Sequence, residues 1–222
     1  MTAQLRFPGG LYGVTPDWDD ASRLEQATRE AARGGMRALQ LRNKTSSPAV
    51  RAKLAARLAE VCNALGVVFL VNDDWRLARD VGAQGVHLGR DDGDPAVVRE
   101  AVGPGMLIGV SCYADPVRAA RLIQHEIAYI AFGAMYASST KPLAPPAPLG
   151  VLTEGRALCE TLGNPRPGVV AIGGIGTEHA AILARAGADA IAVVGSLFLA
   201  PDIEAAARAL SAPFEAGGFN SR

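Results

Sequence analysis

The stretch "AAILARAGADAIAV", residues 180–193, carries the reading of the fold. Small and aliphatic residues with helical spacing run up to Gly187, and an apolar run begins three residues later. The physical reading is a helix ending at a C′ glycine, a short turn, then a buried strand. The pattern recurs. "GMRALQL" starts at Gly35 after "LEQATREAARG", and "GAQGVHL" starts at Gly82 after "RLARDVG". Each copy reads glycine, any residue, a polar residue, a small residue, then apolar alternation. The copies are too diverged and too unevenly spaced for a solenoid. They mark the helix-to-strand joint of a repeated βα unit.

Extending this reading along the chain gives eight strand candidates, near 11–15, 38–42, 67–71, 85–88, 107–110, 129–133, 169–172 and 190–194. Helical patterns lie between them, and another covers about 202–211. Strict alternation of strand and helix implies a parallel sheet with right-handed crossovers. Eight units in about 200 residues predict an α/β chain folded as a single-domain (β/α)8 TIM barrel. One domain is expected over 1–222, with its core over about 11–211 and a frayed tail over 212–222, where Gly217, Gly218 and Asn220 sit. A doubly wound open sheet is the alternative, but eight evenly distributed units favour closure.

Composition bounds the function. The chain has 222 residues, 49% hydrophobic and 20% charged, which permits a large core and argues against global disorder. Its 22 basic and 22 acidic residues cancel, so bulk charge offers nothing to nucleic acid or to an anionic membrane. Neither is expected as a partner. Cys62, Cys112 and Cys159 are scattered, with no CxxC, so zinc is not expected and a reducing, cytoplasmic setting is. The N-terminus lacks a signal-peptide core, and no stretch is long enough for a membrane span.

In a barrel the C-terminal strand tips form the active face. Strand 2 ends "LQLRNK", where Gln40, Arg42 and Lys44 are spaced by two and would share one side of an extended chain. An amide and two cations there suit a polyanion, although a solvated strand end reads the same way. Strand 3 runs into "VNDDWRLA", residues 71–78, with Asn72, Asp73 and Asp74 at its tip. Strand 4 is "GVHLGRDD", with Asp91 and Asp92 beyond it. Neighbouring tips lie about 5 Å apart, close enough for acids to share a cation such as Mg2+ with substrate phosphates. Helix capping is the plain alternative, and Asp74 is well placed for it. His87 reads as a hydrogen-bonded structural residue; His125 and His179 read as exposed helix residues. Strand 5 ends "IGVSCY". It offers Ser111 as a small hydrogen-bonding group, while nothing visible activates Cys112 as a nucleophile.

Strand 6 leads into "FGAMYASSTKPLAPPAPLG", residues 132–150. Three hydroxyls and Lys141 suit phosphate, and the prolines restrict the flap beyond. Strand 7 ends "AIGGIGTEHA", where Gly173, Gly174 and Gly176 allow close backbone approach and Thr177 could cap the next helix. Strand 8 ends "AVVGSLF", with Gly195 and Ser196. Loops after strands 7 and 8 commonly bind phosphate through backbone N–H groups. GxGxxG is absent, against a Rossmann fold.

In this order, "LYGVT", "QLRNK", "VNDD", "GVHLGRDD", "GVS", "SSTK", "AIGGI" and "AVVGS" resemble the thiamine phosphate synthase family from about Leu11 to Phe198. The resemblance implies a barrel transferase. It would join hydroxymethylpyrimidine diphosphate to a thiazole phosphate, giving thiamine phosphate and diphosphate. On this resemblance Gln40, Arg42, Lys44, Asn72, Ser111 and Lys141 would bind the pyrimidine diphosphate. Asp73 and Asp92 would hold Mg2+. Ser138, Thr140, Gly174, Val194 and Gly195 would bind the thiazole phosphate. Arg42, Lys44, Lys141 and Ser111 would stand closest to the chemistry, thought to begin by ionising the C–O bond. A homo-oligomer is compatible with the sequence. The chain departs from the family pattern at Asn43, where glutamate is frequent, at Ala137-Ser138, where Pro-Thr is, and at Gly195, where serine is. Two rivals remain: a related barrel that isomerises the thiazole phosphate, and a phosphate-binding barrel without catalysis.

Overall fold

A computed structural model describes residues 4–137 and 146–215. In chain order the elements are β1 (Gly10–Val14), α1 (Ala21–Arg33), β2 (Met36–Leu41), α2 (Pro48–Leu65), β3 (Val68–Asn72), α3 (Trp75–Asp80), β4 (Gly85–Leu88), α4 (Pro95–Val102), β5 (Leu107–Tyr113) and α5 (Pro116–Leu122). A 3-10 turn (Ile123–His125) follows, then β6 (Tyr129–Phe132), α6 (Gly150–Glu160), β7 (Gly168–Ile172), α7 (Thr177–Arg185), β8 (Ala190–Val193), α8 (Gly195–Phe198) and α9 (Ile203–Glu215). The strands pair in sequence order, all parallel, and β8 closes on β1 to complete a barrel. The expected (β/α)8 barrel is therefore the fold, and the open-sheet alternative is excluded.

Local chemistry explains the helix starts. Asp74, Asp94 and Asp115 each accept a backbone N–H at a helix N-cap, and prolines 95 and 116 follow two of them in the first turn. Ser47 and Pro48 do the same for α2, which ends at Gly66 in the left-handed region, φ 67°. Thr177 is not the cap of α7. It is the first helical residue, Gly176 stands at the N-cap, and the Gly176 N–H donates to His179 Nδ1 at 3.0 Å.

The helix at the end runs further than its sequence pattern. It continues to Glu215 and buries Phe214, so residues 212–215 extend the last helix rather than fraying. His125 and His179 are both half-buried rather than exposed, and His179 stacks on Tyr136 with ring centroids 3.6 Å apart.

Alternation along the strands divides the core in two. One set of apolar side chains packs between strands and helices. The other fills the barrel, where Phe7, Tyr12 and Tyr129 meet ring on ring with centroids 4.3–5.8 Å apart. Small residues make room for them. A Cβ on Gly109 would lie 1.9 Å from the Tyr129 ring. Below the rings, Arg166 and Asp189 form a buried two-pronged ion pair, both contacts 2.8 Å. Among the described residues, these side chains fill the lower half of the barrel and leave its C-terminal strand ends as the face for a ligand.

Candidate active site

The chain leaves β2 through a compact polar knot. Gln40 is buried on the inward face, and its Nε2 donates to the Tyr12 hydroxyl at 2.5 Å. The Arg42 amide donates to Thr15 Oγ1 at 2.9 Å, and that hydroxyl donates back to the Arg42 carbonyl at 3.0 Å. Asp17, in the loop after β1, accepts from the Lys44 amide at 2.7 Å and faces Arg42 Nη1 at 3.3 Å. The expected one-sided triplet is thus opened out. Gln40 points into the barrel, Arg42 pairs with Asp17, and Lys44 reaches Asp73, Nζ to Oδ2 at 3.3 Å. The strand stops at Leu41, so strand geometry no longer aligns the two residues beyond it.

Asn72 is the last residue of β3 and is half-buried at the mouth. Asp73 follows in a left-handed conformation, φ 66°. Its amide donates to the His87 carbonyl at 2.8 Å, which pins this turn to the tip of β4. Asp74 turns away and accepts from the Leu77 amide at 2.9 Å as the cap of α3. The two neighbouring acids have therefore separated their tasks.

Asp92 folds back onto β4, accepting from the Gly89 amide at 2.8 Å. It also comes within hydrogen-bonding reach of Asp73. Burial, then the Asp92 carboxyl beside it, pushes the Asp73 pKa up to about 6, while Lys44 pulls it down. Two carboxyls held against each other with one lysine alongside form an anionic pocket that a cation would relieve. Among the described residues no group of three or more His, Cys, Asp or Glu side chains could hold a metal ion, so protein ligands here number at most two carboxylates.

Ser111 sits on β5, half-buried, with its Oγ 2.9 Å from His87 Nε2. His87 Nδ1 lies 2.8 Å from the Tyr129 hydroxyl. Cys112 points to the outer core, and burial pushes its thiol up to about 12, which leaves no thiolate for attack.

On the opposite side, the chain after β6 is clipped to the tip of β7. Met135 and Tyr136 amides donate to the Ile172 and Gly173 carbonyls at 2.9 and 3.0 Å. Gly174, φ 63°, lies so close that an added Cβ would sit 2.4 Å from the Ala137 carbonyl oxygen. Beyond Val194 the chain turns into α8 at Gly195, and Ser196 Oγ donates to the Ile175 carbonyl. Ser196 therefore ties two loops together rather than replacing a side chain at 195. Ser138, Thr140 and Lys141 lie outside the described residues.

The structure thus gathers Gln40, Arg42, Lys44, Asn72, Asp73, Asp92 and Ser111 around β2 to β5, and Gly174, Val194 and Gly195 at β7 and β8. Sequence reasoning missed Asp17, Tyr12 and Tyr129. An acid one loop away from "QLRNK" was the available signal for Asp17. For the tyrosines it was that a phenol inside a small barrel needs a polar partner.

Comparison with known proteins identifies the family. The family model described as thiamine monophosphate synthase matches residues 11–197. The thiamine-phosphate synthase of Bordetella pertussis is 58% identical over 210 residues, 95% of this chain and 97% of that protein. That of Chromobacterium violaceum is 48% identical over 214 residues, 96% and 97% of the two chains. Among solved structures, thiamine phosphate pyrophosphorylase from Pyrococcus furiosus superposes with a TM-score of 0.78 at 28% identity, covering 95% of this chain and 98% of that one. With a model match along most of its length and relatives well above the level at which families merge, this chain belongs to the thiamine monophosphate synthase family.

Proposed function

We propose that the chain is a thiamine-phosphate synthase that couples a hydroxymethylpyrimidine diphosphate to a thiazole phosphate and releases diphosphate. The observation that carries this reading is the facing pair Asp73 and Asp92, with Lys44 on Asp73 and Ser111 one strand away. The donor set fits Mg2+, which usually takes one or two carboxylates and fills its shell with water and substrate phosphate. When bound, the ion would neutralise charge on the diphosphate.

The protein's own groups do the rest. Lys44 and Arg42 offset the negative charge that grows on the leaving oxygen as the C–O bond breaks. The bonding pair leaves with diphosphate, and the thiazole nitrogen supplies the pair for the new C–N bond. No protein nucleophile or strong base is required, and the buried Cys112 is consistent with that. The backbone turns at Gly174 and Gly195 would receive the thiazole phosphate and align the two substrates. The isomerase alternative needs a free acid or base in the pocket. His87 has both ring nitrogens already engaged.

The test is diphosphate release from both substrates with Mg2+. Asp73→Ala and Asp92→Ala should each lower turnover by at least about 100-fold, whereas Asp74→Ala should retain activity. Unchanged turnover in EDTA, or full activity of either alanine variant, would overturn the assignment.

A further inference from the structure

An unbroken hydrogen-bond chain crosses the barrel beneath the mouth. Gln40 Nε2 donates to the Tyr12 hydroxyl at 2.5 Å, and Tyr12 lies 2.9 Å from the Tyr129 hydroxyl. Tyr129 lies 2.8 Å from His87 Nδ1, and His87 Nε2 lies 2.9 Å from Ser111 Oγ. Four of the five members are buried, and Ser111 is the half-exposed end. Gly109 makes the route possible, since a Cβ there would lie 2.4 Å from the Tyr129 hydroxyl.

Such a chain has a direction, because each hydroxyl and the neutral imidazole have one proton to give. In one direction Gln40 gives to Tyr12, Tyr12 to Tyr129, and Tyr129 to His87 Nδ1. His87 then carries its proton on Nε2 and gives it to Ser111, whose own proton is left over. In the reverse direction Ser111 gives its proton to His87, and only lone pairs remain at the mouth. The amide nitrogen of Gln40 faces Tyr12, which selects the first direction. Burial agrees with it. It pushes both phenols upward, so the hydroxyls keep their protons, and with a hydroxyl at each ring nitrogen His87 needs only the single proton of a neutral imidazole. Ser111 is thereby left as a donor, the polarity an anionic ligand requires.

We propose that His87 is a positioning residue, whose Nε2–H tautomer, fixed through Tyr129 and Tyr12 from Gln40, holds the Ser111 hydroxyl as a hydrogen-bond donor toward the diphosphate of the substrate. The proposal deepens the synthase reading and rests on it for the identity of the anion. The tautomer itself does not depend on that reading.

Two measurements test it on the full chain. The first is 15N NMR of histidine-labelled, substrate-free protein, with the His87 signals assigned by their loss in His87→Gln. A pyrrole-like Nε2 and a pyridine-like Nδ1 are expected. A protonated Nδ1, or an even mixture, would overturn the proposal whatever the enzyme's substrates are. The second uses Tyr129→Phe, or Tyr12→Phe should the first fail to fold. Each keeps the ring and removes one link. The Nε2–H signature should become mixed, and kcat should fall about tenfold, with the loss shrinking to under about twofold in a Ser111→Ala background. An equal loss in both backgrounds would make the tyrosines merely structural and sink the idea.

Discussion

At Asp73 conformation and charge are both held away from their ordinary values. Its left-handed φ of 66° is one that aspartate and asparagine tolerate better than most residues. Its pKa, pushed up to about 6 from an ordinary 3.8, means that the folded protein without a cation prefers this carboxyl protonated. The folded pKa lies above the unfolded one. The linked stability is therefore fully present below about pH 3.8 and is lost as pH rises through about 6. Near neutrality the charge is carried at a cost, so Asp73→Asn should stabilise the cation-free protein there. Asparagine keeps the shape, tolerates the left-handed turn and removes the charge, and the Lys44 pair it breaks is half in solvent and contributes little. Discounted for exposure, the gain should be about 1 kcal/mol, or about 3 °C in Tm at pH about 7.5, fading to nothing by about pH 4. Turnover should fall by about 100-fold in the same variant. Thermal melts in EDTA across that pH range give the check, and a lower Tm near neutrality would show that Asp73 anchors the fold instead. "VNDD" was legible as a polar strand tip. Asp74 was legible as the cap of the next helix, and it is; the left-handed turn of Asp73 was not, because it depends on the His87 carbonyl receiving the Asp73 amide.

Between elements, the loops after β7 and β8 both present a glycine, but for different reasons. Gly174 has a positive φ and is pressed against the Ala137 and Tyr136 carbonyls, so any side chain there must displace the chain leaving β6. Gly195 has ordinary backbone angles, and an added Cβ would meet only Leu199 at 3.8 Å. Gly195→Ser should therefore leave Tm within about 1 °C, while a bulky Gly195→Phe should raise the KM for thiazole phosphate far more than that for the pyrimidine diphosphate. Gly174→Ala should lower Tm and weaken both substrates, since it moves the start of the β6 loop. Steady-state kinetics with each substrate varied, beside melting curves, would separate the cases. If Gly195→Phe affected both KM values equally, the phosphate would sit elsewhere. Glycine spacing announced both loops in the sequence. It could not distinguish a glycine needed for φ from one merely permitted, because that difference lies in carbonyls from another loop. The same limit applies to β2. It ends at Leu41 rather than Arg42, where the Arg42 amide turns to the hydroxyl of Thr15, just past the end of β1 and 27 residues away in sequence.

For the molecule as a whole, closure was readable because eight strand patterns alternate with helical ones along the chain, and regular alternation leaves few topologies. What fills and seals the barrel was not readable. Phe7 and the Leu5 bridge to Arg166 close the lower end from residues that carry no strand pattern of their own. The Arg166–Asp189 pair unites segments 23 residues apart whose charges look like ordinary surface residues in the sequence. Asp189 is the hub of that seal. It accepts both Arg166 nitrogens at 2.8 Å, Arg156 Nη1 at 2.5 Å and the Val169 amide at 2.9 Å, while itself 1% exposed. Asp189→Asn keeps the volume but leaves a buried guanidinium without its counter-charge, and removing one partner of a buried pair costs about 3–5 kcal/mol. The variant should melt about 10 °C lower, at the scale of 2–4 °C per kcal/mol for a chain of roughly this size, with the KM values of its folded fraction unchanged because the seal lies at the end of the barrel opposite the mouth. Replacing both partners by apolar residues, Arg166→Met with Asp189→Leu, should recover much of the loss, since no charge is then left buried. Urea denaturation of the three proteins at one temperature measures this. A single variant within about 1 kcal/mol of the parent, or a double variant less stable than the single, would mean that Arg166 finds other partners and that the rings above it, rather than the ion pair, close the barrel.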